Sequence, residues 1–122
     1  MRALLLVALL CVACRPNVDQ GGEPDNVPPA GVGPADSLVL TLPDSTEVWL
    51  VQGRQGIAAD GSTCVERGVQ LRKGARRDLV PLLYTRTAPA WVDGKLLATL
   101  SNRCADVATY TIDATTAQPT RR

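Results

Sequence analysis

Apolar positions are distributed along the chain in three different ways. From Ala3 to Ala13 every residue is uncharged and apolar, without a break. From Arg15 to Asp36 apolar residues are sparse and follow no period. From Ser37 onward they recur in short runs, many of which alternate with polar residues. Alternation at every second position is typical of half-buried β-strands, so the pattern predicts a β-domain behind a separate N-terminal region.

The first half of the predicted domain reads as two hairpins. Residues 37–42 and 46–52 flank the turn residues Pro43-Asp44-Ser45, and the second run is apolar on both faces, which favours a central strand. Residues 53–63 contain several glycines and predict an irregular loop. Residues 64–72 alternate, with Val69 and Leu71 on one face. Residues 77–85 return after a turn at 73–75, and Pro81 places them at a sheet edge or a bulge.

The second half depends on the dipeptide Asp93-Gly94, which favours a type I′ hairpin turn between two apolar pairs. The same aspartate suits the start of a short helix over residues 95–102, because Leu96, Leu97 and Leu100 also have helical spacing. The strand is the preferred interpretation of residues 95–102. Residues 107–113 alternate plainly and predict a further strand.

Together these runs predict an all-β domain over residues 37–115, with a frayed tail over residues 116–122. Five to seven short antiparallel strands form a small sandwich or a partly open barrel. Trp49 and Trp91 are expected in its core.

The apolar run at the start follows a single positive charge at Arg2. Eleven apolar residues behind a basic residue are typical of a secretory signal peptide. As a helix the run is roughly 16 Å long, about half of the ~30 Å hydrocarbon core, so it is too short for an ordinary transmembrane span. The sequence therefore predicts export.

Residues Cys11-Val12-Ala13-Cys14 resemble a bacterial lipobox, the signal for lipoprotein processing. The family pattern has a small residue before the modified cysteine, as Ala13 is, and usually leucine where this chain has Cys11. The resemblance implies a signal peptide over residues 1–13 and a lipid on Cys14. Arg15 in the sorting position favours the outer membrane, facing the periplasm. There are two alternatives to a lipid on Cys14: Cys11 could be the lipid acceptor, or the segment could be an ordinary secretory signal.

Residues 14–36 read as a tether. Residues 15–36 contain five prolines and four glycines and offer little to bury, so we expect disorder. Such a segment spans from about 25 Å as a coil to about 65 Å in a polyproline-like form. It would hold the domain off a membrane surface.

The domain contains two cysteines, Cys64 and Cys104. In an exported protein such a pair predicts a disulfide. A closed loop of this length stabilises by roughly 4 kcal/mol in the chain-entropy model.

Several chemistries are disfavoured by composition. The chain has no histidine, which removes the usual catalytic triads and histidine-ligated zinc. We therefore expect no catalytic residue, no cofactor and no metal ligand. Asp60 and Glu66 flank Cys64, but a glycosidase needs two carboxylates at a set separation, and no pair is placed that way by the pattern. Asp44, Asp60, Asp93 and Asp106 all occupy positions where turns favour aspartate.

The formal net charge is only +1, so a nucleic-acid partner is not expected. Basic residues nonetheless cluster on the predicted hairpin of residues 64–85. They form a candidate patch for an anionic envelope polymer or lipid headgroup. An edge hairpin protected by charge against aggregation is the competing interpretation. The patch consists of Arg67, Arg72, Lys73, Arg76 and Arg77.

Two classes of function remain. The first is a noncatalytic binding or structural lipoprotein of the cell envelope that meets an envelope protein or polymer. Within it, the plan of lipobox, tether and small disulfide-bonded β-domain is similar to that of membrane-bound lysozyme inhibitors, although their Ser-Gly-x-x-Tyr motif is not present. The second class is a small carboxylate-dependent hydrolase. The first class is preferred.

Overall fold

The computed structural model describes residues 31–122, which form eight β-strands and no helix. The predicted signal peptide, Cys14 and the tether up to residue 30 lie outside this range. The strands make two four-stranded antiparallel sheets. The first contains β1 (Ser37–Thr41), β2 (Glu47–Ile57), β3 (Thr63–Lys73) and β4 (Arg76–Thr85), and the second contains β5 (Ala90–Val92), β6 (Lys95–Asn102), β7 (Ala105–Ile112) and β8 (Pro119–Arg121), each in sequence order.

The sheets pack as a small β-sandwich, which confirms the predicted fold class. Both are meanders, because within each sheet the strands that are consecutive in the chain pair with one another. The alternation in β3 decides which face is buried. Val69 and Leu71 are fully buried between the sheets, whereas Gln70 and Arg72 lie on the opposite face. The apolar strand β2 lies inside its sheet, as predicted.

The core is aliphatic and draws on both sheets. Buried side chains of the first sheet pack against those of the second. Each sheet therefore buries its apolar face against the other sheet. The buried apolar residues within strands are Val48, Val69, Leu71, Val80 and Leu83 from the first sheet, and Leu96, Ala98 and Ile112 from the second.

Residues 95–102 form a strand, so the preferred interpretation is confirmed over the helix. The cause is the preceding turn: Asp93 and Gly94 have φ values of 51° and 74°, the left-handed pair that a type I′ hairpin requires. This turn folds the chain back directly, and Leu96 and Ala98 then alternate into the core.

Two sequence-based boundaries within the domain are wrong, and the strand count is higher than expected. Residues 31–122 contain eight strands, whereas the pattern predicts five to seven. Residues 53–57 and 63 belong to β2 and β3, so the predicted loop shrinks to a turn closed by the Ala58 amide on the Ser62 carbonyl oxygen. Residues 116–122 are not a frayed tail, because Pro119–Arg121 pair with β7 as β8.

The start of the domain and both tryptophans also differ from prediction. Val32 bridges Gly53 of β2, and the Asp36 carboxylate binds Arg72, so residues 31–36 belong to the domain rather than to the tether. Trp91 is 40% exposed because it lies on the short edge strand β5, which has no neighbour on its outer side. Trp91 is therefore not a core residue. Trp49 is not one either, because it pairs with Gln70 on the face of the sheet that points away from the core.

We expect Leu71→Ala to lower the free energy of unfolding by about 2–5 kcal/mol, because it leaves a cavity between the sheets. Leu79→Ala is the matched control. Leu79 lies on the neighbouring strand but is 54% exposed, so the loss should be about 1 kcal/mol or less. Urea unfolding measures both, and equal losses would contradict the position of the core.

Candidate functional site

A disulfide joins the two sheets at one end of the sandwich, which confirms the predicted pairing. Cys64 lies near the start of β3, and Cys104 lies in the turn between β6 and β7, with the Cα atoms 5.9 Å apart. Arg103 and Cys104 have φ values of 55° and 62°, so this turn places two residues other than glycine in the left-handed region. That conformation is unfavourable for side chains with a Cβ atom. The bond to Cys64 therefore helps to hold an otherwise costly turn.

Gly56 of β2 makes room for the disulfide. A Cβ atom at this position would lie 3.0 Å from the Cys64 sulfur, 3.1 Å from the Cys104 sulfur and 3.1 Å from the Glu66 carboxyl carbon. The two sulfurs and the carboxylate thus surround a single point. A side chain here would have to displace at least one of them.

Glu66 is the charged residue most completely buried in the described domain, with a side chain only 1% exposed. Its Oε1 accepts a hydrogen bond from Arg54 Nε at 2.9 Å. Its Oε2 accepts from the Ser101 hydroxyl at 2.7 Å and from the Cys104 amide at 3.1 Å. A buried carboxylate is tolerable when it is paired and hydrogen-bonded in this way.

Arg54 covers the solvent side of this carboxylate. Its guanidinium lies 4.1 Å from the centre of the Tyr84 ring and also donates to the Ser101 carbonyl oxygen at 3.2 Å. With its side chain 42% exposed, Arg54 borders an open surface depression of about 470 Å³ that Asn102 and Arg103 also line. Solvent therefore reaches the arginine, whereas the carboxylate behind it is shielded.

The cluster extends to the connection between the sheets. Arg86 Nε donates to the Ser101 hydroxyl at 3.0 Å, and Arg86 Nη2 forms an ion pair with Asp106 at 3.1 Å. Asp106 therefore lies in β7, and the predicted turn role of this residue is wrong. Through Ser101, the same network reaches from β2 and β3 in one sheet to β6 and β7 in the other.

The hydrogen bonds decide the charge state of Glu66. Burial raises the pKa of its carboxyl, but the hydrogen bonds from Ser101, Arg54 and the Cys104 amide outweigh this, so the pKa lies below the ordinary value for glutamate. A general acid needs the opposite shift, toward neutral pH. The geometry suits a structural anion that links two sheets.

The neighbouring carboxylate considered in the sequence, Asp60, is not part of this cluster. Its Oδ1 accepts hydrogen bonds from the amide and the hydroxyl of Ser62, which lower its pKa and shape the β2–β3 turn. Asp44 does the same for the β1–β2 turn by accepting from the Thr46 amide, and its pKa is also lowered. Both therefore have the turn role that was predicted.

The five cations of the predicted anion-binding patch have separate surroundings. The Arg67 guanidinium donates to main-chain oxygens of Leu50 and Ala35, at 2.9 Å and 2.8 Å. It thus joins residues 34–37 to the sheet. Arg72 lies over the Trp49 ring at 3.9 Å.

The remaining three lie around the β3–β4 hairpin. Lys73 lies 3.7 Å from Asp44, and Arg76 pairs with Asp78 and donates to the Thr115 carbonyl oxygen. Arg77 is exposed. Four of the five thus have partners within the domain, and the anion-binding role stays a prediction.

Comparison with protein-family models, with curated proteins and with solved structures finds no match to this chain. Within residues 31–122, no group of three or more cysteine and carboxylate side chains is placed to hold a metal ion. The same residues contain no helix that is long and apolar enough to cross a membrane.

Removing the disulfide tests its share of the stability. We expect the double variant Cys64→Ser, Cys104→Ser to lose about 4 kcal/mol of unfolding free energy, as the chain-entropy model gives for a loop closed across 40 positions. Urea unfolding of the wild type with and without reductant supplies the same comparison. A loss below about 1 kcal/mol would mean that the core and the Glu66 network hold the sheets together without the covalent bond.

Glu66→Gln should lower the free energy of unfolding by about 1–3 kcal/mol at neutral pH. Because the native pKa is lowered, the contribution of Glu66 is complete above the ordinary glutamate pKa of about 4.3 and is lost as the pH falls through the native value. The gap between wild type and variant should therefore narrow on acidification.

The measurement is urea unfolding across a series of pH values. Asp93→Asn is the control, because it removes an exposed carboxylate from a turn that accepts asparagine equally well. A gap between wild type and Glu66→Gln that does not change with pH would show that Glu66 acts through shape rather than charge.

Proposed function

We propose that this chain is an exported lipoprotein, anchored through a lipid on Cys14, whose β-sandwich is a noncatalytic binding or structural module of the cell envelope. The observation that carries the proposal is the disulfide between the sheets. Disulfides of this kind form in oxidising compartments such as the periplasm and are rare in the cytosol. This supports export independently of the apolar run and lipobox at the N-terminus.

The length of the proposed tether is compatible with a domain that is held close to a membrane. Since residues 31–36 pack on the first sheet, the tether comprises residues 15–30. Such a segment reaches about 20–25 Å as a coil and about 50 Å in a polyproline-like form. A lipid on Cys14 would therefore keep the domain close to its membrane, which we propose to be the outer membrane on its periplasmic side.

The use of the charged residues supports a noncatalytic role. Glu66 has three hydrogen-bond donors and a lowered pKa, and Asp60 serves its own turn. A carboxylate-dependent hydrolase requires a pair across a cleft. A hydrolase is therefore the weaker alternative. An inhibitor-like module that binds an envelope enzyme is one form of the proposed binding module.

Mass spectrometry of the mature N-terminus tests the anchor. We expect the chain to begin at Cys14 with diacylglycerol on its sulfur, because thioether formation needs this nucleophile. Cys14→Ser should abolish lipidation, and Cys11→Ser is the matched control that should leave it intact. An unmodified Cys14, or cleavage beyond it, would exclude the lipoprotein assignment.

A further inference from the structure

The most exposed large apolar side chain among residues 31–122 is Leu82, at 89%. Its φ is 58°, in the left-handed region that leucine rarely adopts. Exposure and backbone conformation are both unfavourable for a leucine. Retained strain of this kind is a pointer to function.

A bulge in β4 produces this arrangement. The pairs Gly68↔Tyr84 and Gln70↔Leu79 enclose more residues on β4 than on β3. The extra residues lie within 80–83, which have no paired partner on β3 and form the bulge. Val80 and Leu83, on either side, are buried in the core. The bulge is therefore anchored at both ends, and it presents Pro81 and Leu82 to solvent as a fixed protrusion.

An apolar groove of about 280 Å³ continues from Leu82. It lies between β4 and β8, the last strands of their sheets, which contact each other here. Leu82 and Leu83 of β4 line one side, and Tyr110 of β7 and Pro119 of β8 line the other. Leu79, on the same edge strand, is a further exposed leucine at 54%.

Two arginines, Arg121 and Arg122, follow shortly after Pro119, which lines the groove. Arg121 pairs with Tyr110 in the sheet, and Arg122 donates its amide to the Thr109 carbonyl oxygen. Both side chains are exposed, and neither forms an ion pair within residues 31–122. Asp113, which precedes β8, accepts hydrogen bonds from the Thr115 and Thr116 amides.

We propose that this surface, the Leu82 edge (Leu79, Pro81, Leu82, Arg121 and Arg122), lies against a bilayer that contains anionic lipid. Leu82 enters the boundary between headgroups and acyl chains, and the two arginines meet lipid phosphates. An apolar protrusion beside unpaired arginines is complementary to that interface, which is apolar below and anionic above.

The tether makes this contact reachable, and here the inference rests on the proposed lipid anchor. Val32 bridges Gly53 of β2, and across β3 the residue Gly68 pairs with Val51 and with Tyr84. Val32 therefore lies at the level of the bulge. The two are separated across the sheet by about 14 Å, which is three inter-strand spacings.

One leucine and two arginines bind a bilayer weakly on their own. A lipid anchor raises the local concentration of the membrane to the millimolar range, where a weak contact is populated. The Leu82 edge would then set the orientation of the domain, with the opposite parts of the sandwich facing away from the bilayer.

Vesicle co-sedimentation tests the proposal without the anchor. The chain from residue 14 onward is exported behind an ordinary cleavable signal and carries Cys14→Ser. It is mixed with vesicles at millimolar total lipid, the concentration range that the anchor would supply, made of phosphatidylethanolamine and phosphatidylglycerol or of phosphatidylcholine alone. We expect binding to the anionic vesicles, a decrease with added salt, and little binding to phosphatidylcholine.

Leu82→Gly separates binding from folding. Glycine tolerates the positive φ, so this variant should be at least as stable as the wild type and yet bind vesicles roughly 10-fold more weakly. Ile57→Ser is the matched control, because Ile57 is a 60% exposed aliphatic residue on β2, and its loss should leave binding unchanged. Arg121→Gln combined with Arg122→Gln should remove the preference for anionic vesicles.

Three results would overturn the inference: no binding to either vesicle, equal binding to both, or binding that Leu82→Gly leaves intact. If the chain does not bind vesicles but does bind a protein, and Leu82→Gly abolishes that binding, the surface is a protein-binding site instead. Because the vesicle assay uses a chain without lipid, its failure leaves the Cys14 anchor standing. Failure of the anchor likewise leaves vesicle binding measurable.

Discussion

Everything at one end of the sandwich depends on the contact between β3 and the β6–β7 turn. The Cys64–Cys104 bond and the buried carboxylate of Glu66 both make this contact, and Gly56 leaves the space that they share. A domain of this size with a purely aliphatic core has little stability to spare. A covalent link and a charged hydrogen-bond network in one place therefore determine how the two meanders meet, since no strand is shared between them.

Several charged side chains have structural partners. The ordered charges serve the fold: Glu66 links the sheets, and Arg67 and Arg72 hold the segment before β1. The surface also includes an edge with the highly exposed Leu82 and two exposed arginines, Arg121 and Arg122. The proposed membrane contact uses this edge and none of the charges that hold the fold together.

Much of the fold could be predicted because its causes are local. Alternation placed Val69 and Leu71 in the core, and Asp93-Gly94 specified its hairpin through the φ values that those residues tolerate. The sequence predicts a loop at residues 53–57 because glycine is unfavourable in strands. A Cβ atom at Gly53 would lie 2.0 Å from the Glu66 carbonyl oxygen, so this glycine is required by close strand packing and does not mark a loop.

The sequence by itself determined the fold class, the disulfide partners and the bulge-prone edge at Pro81. These follow from composition, periodicity and the restricted backbone of single residues. The tertiary structure decided which partner each charge takes and where the apolar surface remains exposed. Glu66 binds Ser101 across 35 positions of chain, and Leu82 projects only because its neighbours are drawn into the core. Contacts between residues that are so far apart in the chain depend on how the two sheets pack together, and no local sequence pattern carries that information.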